Sequence, residues 1–183
     1  MTGTQVATAA EVVAFWRDAG AEAWFRRDAA FDAEFRDRFL TTYERAAQGD
    51  LDHWMADAEG ALALMILLDQ FPRNAFRGSA RSFATDSKAL GLAEQAVADG
   101  HDLRVDPALR FFFYMPFEHS EAAADQQRAL DLMRPLGGET LRYAEIHADV
   151  IRRFGRFPHR NKILGRVSTP EELEFLAAGG FAG

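Results

Sequence analysis

Apolar side chains recur every three to four residues along almost the whole chain, which is the spacing of one face of an α-helix. Thr8 and Glu11 form a capping-box pattern that predicts a helix start, and Thr169 and Glu172 form a second one. Residues 61–68 are apolar on every side, so the helix that contains them is predicted to run through the centre of the fold.

Proline, glycine and capping residues divide this pattern into separate helices. Pro72 is predicted to end the central helix, and Ser120 is predicted to cap a later helix that runs to Met133. No run of alternating residues is long enough to predict a strand. The pattern therefore predicts an all-α fold of about seven to nine helices with short loops. Because no linker or low-complexity segment occurs, residues 1–183 are predicted to form a single helical domain without an internal linker.

Composition removes several classes of function. The sequence has no cysteine, which excludes disulfides, thiolate catalysis and thiolate metal sites. The longest apolar stretch, residues 61–68, is too short to span a membrane, and no segment typical of a signal peptide follows Met1. A cytoplasmic protein with no membrane partner is therefore predicted.

The net charge of −7 is unevenly distributed. Residues 1–150 carry 15 basic and 25 acidic side chains, whereas residues 151–183 carry 6 basic and 3 acidic ones. A mostly acidic surface argues against nucleic acid as a partner. The basic last fifth of the chain instead fits a small anion, or an acidic groove within the same protein.

Three polar segments adjoin apolar helices and carry most of the candidate chemistry. Asp-Gln-Phe-Pro-Arg-Asn spans residues 69–74, Phe-Tyr-Met-Pro-Phe-Glu-His-Ser-Glu spans residues 113–121, and Phe-Gly-Arg-Phe-Pro-His-Arg-Asn-Lys-Ile-Leu-Gly-Arg spans residues 154–166. With these motifs in this order, the chain resembles the bacterial DUF924 family over nearly its whole length. The resemblance implies an all-helical, tetratricopeptide-like α-α superhelix. It implies no activity and no catalytic residues, because the family is named for its unknown function.

Arginine dominates the third segment and suggests an anion site. Guanidinium groups bind phosphate or carboxylate through paired hydrogen bonds, and Gly155 and Gly165 would let a ligand approach the backbone. An alternative is architectural, in which the arginines pair with Asp69, Glu118 and Glu121 and fix the helix junctions. The residues predicted to bind the ligand are Arg73, Asn74, Tyr114, Arg153, Arg156, His159, Arg160, Asn161 and Arg166.

Glu118, His119 and His147 are the catalytic candidates. Glu118 and His119 lie within one helical turn, and a carboxylate with an imidazole can act as general acid and base near neutral pH. The plainer alternative makes Glu118 a helix cap, and makes both histidines hydrogen-bonded residues without a catalytic role. Because no spacing typical of a metal-binding helix occurs, no metal and no cofactor are predicted.

The sequence therefore predicts a binding site for a small anionic metabolite, with or without catalysis, where the three polar segments converge. The competing hypothesis is a tetratricopeptide-like scaffold for a peptide or protein partner, in which the motifs only fix helix junctions. The first hypothesis requires the candidate groups around one concave pocket, and the second requires an open groove.

Overall fold

The computed structural model describes residues 5–181, and this part of the chain contains helices but no strand. The all-α fold predicted from the hydrophobic pattern is therefore confirmed. The tetratricopeptide-like superhelix stays a prediction.

The α-helices are α1 (Ala9–Ala19), α2 (Ala21–Trp24), α3 (Ala29–Gln48), α4 (Ala58–Met65), α5 (Phe71–Ala75), α6 (Asp86–Ala98), α7 (Met115–Glu118), α8 (Ala123–Met133), α9 (Gly138–Phe154) and α10 (Pro170–Ala177). Short 3₁₀ helices cover Asp52–Ala56, Ala80–Phe83, Asp102–Arg104, Arg110–Phe113 and Pro158–Arg160.

The chain divides into two compact units, Met1–Pro116 and Phe117–Gly183, which are called the first and the second unit below. The single domain expected from the sequence stays a prediction. Among residues 5–181, no helix combines the length and the apolar character that a membrane crossing requires. The two predicted capping boxes are confirmed, one in each unit, because Thr8 begins α1 and Thr169 begins α10 in this way.

Packed aromatic rings form the core of the first unit. Trp16 of α1 and Phe35 of α3 are fully buried with their ring centroids 5.3 Å apart, and Phe71 packs edge-on against Phe35 at 5.1 Å. α4 is buried from Gly60 onward, as expected of a central helix. A Cβ atom at Gly60 would lie 2.2 Å from the carbonyl oxygen of Trp54, so the close approach of the two backbones requires glycine there.

α4 continues through a π-helical turn, Ile66–Gln70, into α5, so the predicted helix end at Pro72 is wrong. Proline has no N–H to donate to the carbonyl four residues earlier, and its ring crowds that carbonyl. Here that carbonyl belongs to Leu68, and the Thr85 hydroxyl donates a 2.6 Å hydrogen bond to it. The wider π turn and the Thr85 hydroxyl together allow the helix to pass Pro72.

The second unit is built on α8 and α9, which pack together, and on α10, which contacts the 3₁₀ helix Pro158–Arg160. α9 ends at Gly155, whose left-handed backbone (φ 66°) reverses the chain while its N–H bonds the carbonyl of Ile151 at 2.7 Å. The reversal returns the chain to the apolar face of α9. The core there contains Val150, Ile151 and Phe157, with Phe154, Phe175 and Phe181 packed against it.

α8 does not begin as predicted. Ala122 occupies the N-cap position and makes no side-chain capping bond, so the prediction that Ser120 caps this helix is wrong. The Ser120 hydroxyl instead accepts a hydrogen bond from the backbone N–H of Ala122 at 3.1 Å and donates one to Asp125 at 2.6 Å. Ser120 thus shapes the turn before α8.

Candidate functional site

Glu118 and His147 form a buried pair in the second unit. Glu118 ends α7 and His147 lies on the buried face of α9, with Oε1 of Glu118 2.8 Å from Nδ1 of His147. The same nitrogen is 2.8 Å from the carbonyl oxygen of Tyr143, one helical turn earlier. Because both neighbours are hydrogen-bond acceptors, we assign the hydrogen to Nδ1 and the lone pair to Nε2. In this tautomer Nε2 of His147 is a proton acceptor.

Gln126 of α8 fixes the turn that follows Glu118. Its side-chain amide donates hydrogen bonds to the carbonyl oxygens of Glu118 and Ser120, both at 2.6 Å. The turn also carries His119, whose ring centroid is 6.0 Å from that of His147. The three catalytic candidates of the sequence therefore lie together in the second unit.

A third imidazole, His159, belongs to the same region. The Phe157 ring centroid is 5.5 Å from that of His147 and 5.7 Å from that of His159. Burial, and then the positive charge of Arg160, lower the pKa of His159 to about 4, so this side chain is neutral at pH 7. Its Nδ1 is buried and has no hydrogen-bond partner among residues 5–181. We call Glu118, His119, His147 and His159 the histidine cluster.

Glu121 and Arg166 connect the turn after α7 to the arginine-rich segment. Arg166 donates two hydrogen bonds to the Glu121 carboxylate, at 2.7 and 2.9 Å, and a third to the carbonyl of Phe157 at 3.2 Å. Glu121 also accepts a hydrogen bond from the backbone N–H of Phe157 at 2.8 Å. Burial raises the pKa of Glu121, but the hydrogen bonds from Arg166 and Phe157 outweigh it and leave the pKa below its usual value.

Glu172 is the acceptor at the centre of a second set of hydrogen bonds. Arg156 donates two of them, at 2.6 and 2.8 Å, and it also donates to the carbonyl of Val167 at 2.9 Å. Asn161 and the backbone N–H of Thr169 add bonds to Glu172 of 3.1 and 2.8 Å. The hydrogen bonds from Arg156 outweigh burial and lower the pKa of Glu172 to about 2. A ligand anion at Arg156 would have to compete with this buried carboxylate.

Arg153 and Arg160 lie against aromatic rings. The Arg153 guanidinium is 4.9 Å from the ring centres of Phe154 and Phe175, and 3.8 Å from the nearer carboxylate oxygen of Asp149. Arg160 is buried, and its guanidinium lies 4.4 Å from the ring centre of Phe157. Arg160 therefore places a positive charge beside the ring that separates His147 from His159.

Three predicted ligand-binding residues, Arg73, Asn74 and Tyr114, belong to the first unit, where each contacts a carboxylate of that unit. Arg73 donates to Asp86 at 2.9 and 3.2 Å and to the carbonyl of Asp69 at 2.8 Å. Asn74 donates to Asp32 at 2.7 Å, and the Tyr114 hydroxyl donates to the buried Asp102 at 2.6 Å. The other predicted residues belong to the second unit, and convergence of all three segments on one pocket stays a prediction.

Several side chains that build this region are not among the residues predicted from the sequence. Glu172 carries a sequence signal only as the last residue of a capping box, which does not indicate that Arg156 and Asn161 also bond to it. Phe157 lies inside a quoted motif, but its place beside two imidazoles depends on the chain reversal at Gly155. Phe181 has no sequence signal, since it is a single aromatic residue after two glycines.

The second unit has two surface grooves that could take a small molecule. Within the described part of the chain, no group of three or more His, Asp or Glu side chains is arranged to hold a metal ion. A surface groove of about 300 Å³ is lined by Arg142, Glu145, Ile146, Asp149, Val150, Phe175 and Phe181. A second groove of about 610 Å³ is lined by Arg153, Phe154, Glu171, Glu174, Phe175, Ala178, Gly179 and Gly180.

Comparison with known proteins identifies the family. The sequence profile of DUF924, described as a bacterial protein of unknown function, matches residues 12–180. The solved structure of a protein of unknown function, ATU0120 from Agrobacterium tumefaciens, is similar to this one, with a TM-score of 0.92 and 55% sequence identity over 93% of this chain and 97% of that chain. A comparison with curated proteins found no match. The chain therefore belongs to the DUF924 family of bacterial proteins of unknown function.

Proposed function

We propose that the second unit binds a small molecule at the histidine cluster and that His147 exchanges a proton with it. The observation that carries this proposal is the 2.8 Å distance between Oε1 of Glu118 and Nδ1 of His147, both of them buried. A carboxylate behind an imidazole fixes its tautomer and stabilises the imidazolium that forms when Nε2 accepts a proton. Glu118 would thus position His147, which would act on the ligand.

A purely structural role explains this geometry less well. The carbonyl of Tyr143 already lies 2.8 Å from Nδ1 of His147 and can satisfy its single N–H. A second acceptor at the same nitrogen adds no further N–H bond, and burying the carboxylate of Glu118 costs hydration free energy. The carboxylate becomes useful when His147 is positively charged, which is the state that proton transfer produces.

The anionic ligand predicted from the sequence retains support from Arg160. Its guanidinium lies 4.4 Å from the ring centre of Phe157, which packs against His147 and His159, so the positive charge is close to the histidine cluster. The neutral imidazole of His159 can add a hydrogen bond to an oxyanion without a net repulsive charge. A phosphate or carboxylate group is therefore the ligand chemistry that this region favours.

An architectural role is favoured for Arg73, Arg156 and Arg166. Each donates two hydrogen bonds to one carboxylate and a further one to a backbone carbonyl, at distances between 2.6 and 3.2 Å. Such bonds fix loop geometry and leave these guanidinium groups engaged with the protein itself. The two hypotheses drawn from the sequence thus apply to different residues: the arginines fix junctions, and the histidine cluster binds the ligand.

A thermal-shift screen tests the proposal. Phosphorylated and carboxylated metabolites would be added singly to the wild type, to His147→Gln and to His53→Gln, which alters an exposed histidine of the first unit. A ligand that binds the folded state raises the melting temperature by mass action. We expect shifts in the wild type and in His53→Gln that are lost in His147→Gln. No shift across the panel, or shifts that survive in His147→Gln, would contradict the proposal.

A further inference from the structure

The histidine cluster is in contact with one side chain that lies outside every sequence motif. The ring centroid of Phe181 is 4.4 Å from that of His147 and 5.4 Å from that of His159, with an edge-on arrangement to the latter. It is also 6.3 Å from that of Phe157. Two imidazoles and one phenyl ring therefore pack around the Phe181 ring, and the space that this ring fills between them is called the slot.

The same side chain also faces the surface. Phe181 lines the groove of about 300 Å³, together with Val150 of α9 and Phe175 of α10. The ring is thus a boundary between this groove and the two imidazoles. If the Phe181 side chain moved aside, the slot would become an extension of the groove.

The backbone before Phe181 suits such a movement. Gly179 and Gly180 connect it to the end of α10, and Gly179 has a left-handed backbone (φ 78°). In the observed conformation Gly180 packs so closely on Phe175 that a Cβ atom would lie 2.5 Å from the Phe175 ring. Two consecutive glycines allow this close packing and also give the segment a wide range of alternative backbone angles.

We infer that this slot binds a planar aromatic or heteroaromatic ring of the ligand, and that Phe181 occupies the slot in the absence of that ligand. The inference rests on the proposed function, because His147 is the residue that such a ring would contact. Aromatic rings prefer centroid separations of about 4.5–7 Å, and the separations of 4.4 and 5.4 Å that Phe181 makes with the two imidazoles lie at the short end of this range. With the positive charge of Arg160 beside Phe157, the favoured ligand is a small aromatic carboxylate or phosphate.

Competition with Phe181 has a measurable consequence. A ligand that binds only the open conformation has an apparent affinity reduced by the fraction of protein in that conformation. Removing the Phe181 ring makes every molecule open and should lower the apparent dissociation constant of an aromatic carboxylate by about fivefold or more. Phe181→Leu, which keeps an apolar side chain but removes the ring, should have an intermediate effect.

Benzoate is the probe that tests this inference, with cyclohexanecarboxylate as the matched acid without a planar ring. Binding would be measured by calorimetry and by the imidazole NMR signals of the wild type, Phe181→Ala and Phe181→Leu. Phe25→Ala is the control for the loss of a phenyl ring, since Phe25 is exposed and belongs to the first unit. We expect benzoate to shift the signals of His147 and His159, to bind more tightly to Phe181→Ala, and to bind Phe25→Ala within about twofold of the wild type.

Several results would overturn the inference. One is benzoate binding to Phe181→Ala but not to the wild type, because an engineered cavity alone can take up an aromatic molecule. Others are equal affinity for cyclohexanecarboxylate, or equal affinity in the wild type and Phe181→Ala. If benzoate fails while metabolite shifts are still lost in His147→Gln, the ring-binding slot is wrong and the proposed function stands. If both fail, the proposed function is wrong as well.

Discussion

The buried polar side chains of the two units differ in the partners that their carboxylates have. In the first unit, the positively charged Arg73 lies within 3.2 Å of the negatively charged carboxylates of Asp69 and Asp86. In the second unit, His147 has two acceptors for a single N–H, and the buried Nδ1 of His159 has none among residues 5–181. Buried polar atoms without a hydrogen-bond partner among residues 5–181 occur in both units, so such an atom does not by itself indicate a site. What distinguishes the second unit is the carboxylate behind an imidazole, because an imidazole can gain and lose a proton near neutral pH and a guanidinium does not.

The contrast also separates two uses of similar motifs. Phe-Pro is followed by Arg and Asn in the first unit and by His, Arg and Asn in the second. The arginine of the first motif, Arg73, bonds a carboxylate, whereas that of the second, Arg160, lies against the ring of Phe157. The second unit adds imidazoles to this arrangement. Mutations that remove a charge partner should therefore cost stability, whereas mutations in the histidine cluster should mainly alter proton and ligand binding.

Arg73→Ala should give the largest loss of stability. The substitution removes the guanidinium that lies 3.1 Å from the fully buried carboxylate of Asp69, and breaking a buried ion pair costs about 3–5 kcal/mol. Urea unfolding followed by tryptophan fluorescence measures this loss in the first unit, since Trp16, Trp24 and Trp54 all belong to it. Arg77→Ala is the control, because its pair with Asp32 is more exposed and should contribute about 1 kcal/mol or less. Equal losses in the two variants would contradict the distinction between them.

Glu172→Gln should show the next largest effect, and the effect should depend on pH. The pKa of Glu172 is lowered from 4.5 to about 2, so its stabilising contribution is complete above about pH 4.5 and disappears as the pH falls towards 2. We expect the variant to be less stable than the wild type by on the order of 3 kcal/mol at pH 6, and the difference to vanish near pH 2.

Circular dichroism melts between these pH values measure that difference. Glu174→Gln is the control on the same helix, since Glu174 is exposed and makes none of the bonds that Glu172 makes. Glu172→Gln could instead differ from the wild type by the same free energy at both ends of the pH range. That result would show that the stabilisation does not come from the charge of the Glu172 carboxylate beside Arg156.

The sequence predicts most of the fold because its signals are local. Capping boxes at Thr8 and Thr169 and the all-apolar segment 61–68 depend on neighbouring residues, and the structure contains all three. The predicted end at Pro72 is wrong because a distant hydroxyl, that of Thr85, bonds the carbonyl that proline leaves without a donor. Nothing local in the sequence indicates that bond.

The candidate site was predictable in its residue types but not in its pairing. Glu118 and His147 are separated by 29 positions in the sequence, and only the packing of α9 near the end of α7 brings their side chains together. The role of Phe181 depends on the position of α10, which a capping box does not determine. Tertiary contacts of this kind have no periodic signature, so they emerge only from the folded chain.

Glu118→Gln should have the smallest effect on stability and the most specific effect on the site. Glutamine keeps an oxygen that can accept from Nδ1 of His147, and the carbonyl of Tyr143 remains, so the free energy of unfolding should change by about 1 kcal/mol or less. The NMR signal of the His147 Nδ1 proton should move upfield, because a charged acceptor is replaced by a neutral one. Glu121→Gln, on the same turn, should leave that signal in place, since Glu121 bonds Arg166 and Phe157. A stability loss as large as that of Arg73→Ala would instead show that Glu118 mainly stabilises the fold, as the carboxylates of the first unit do. The contrast between the two units would then not hold.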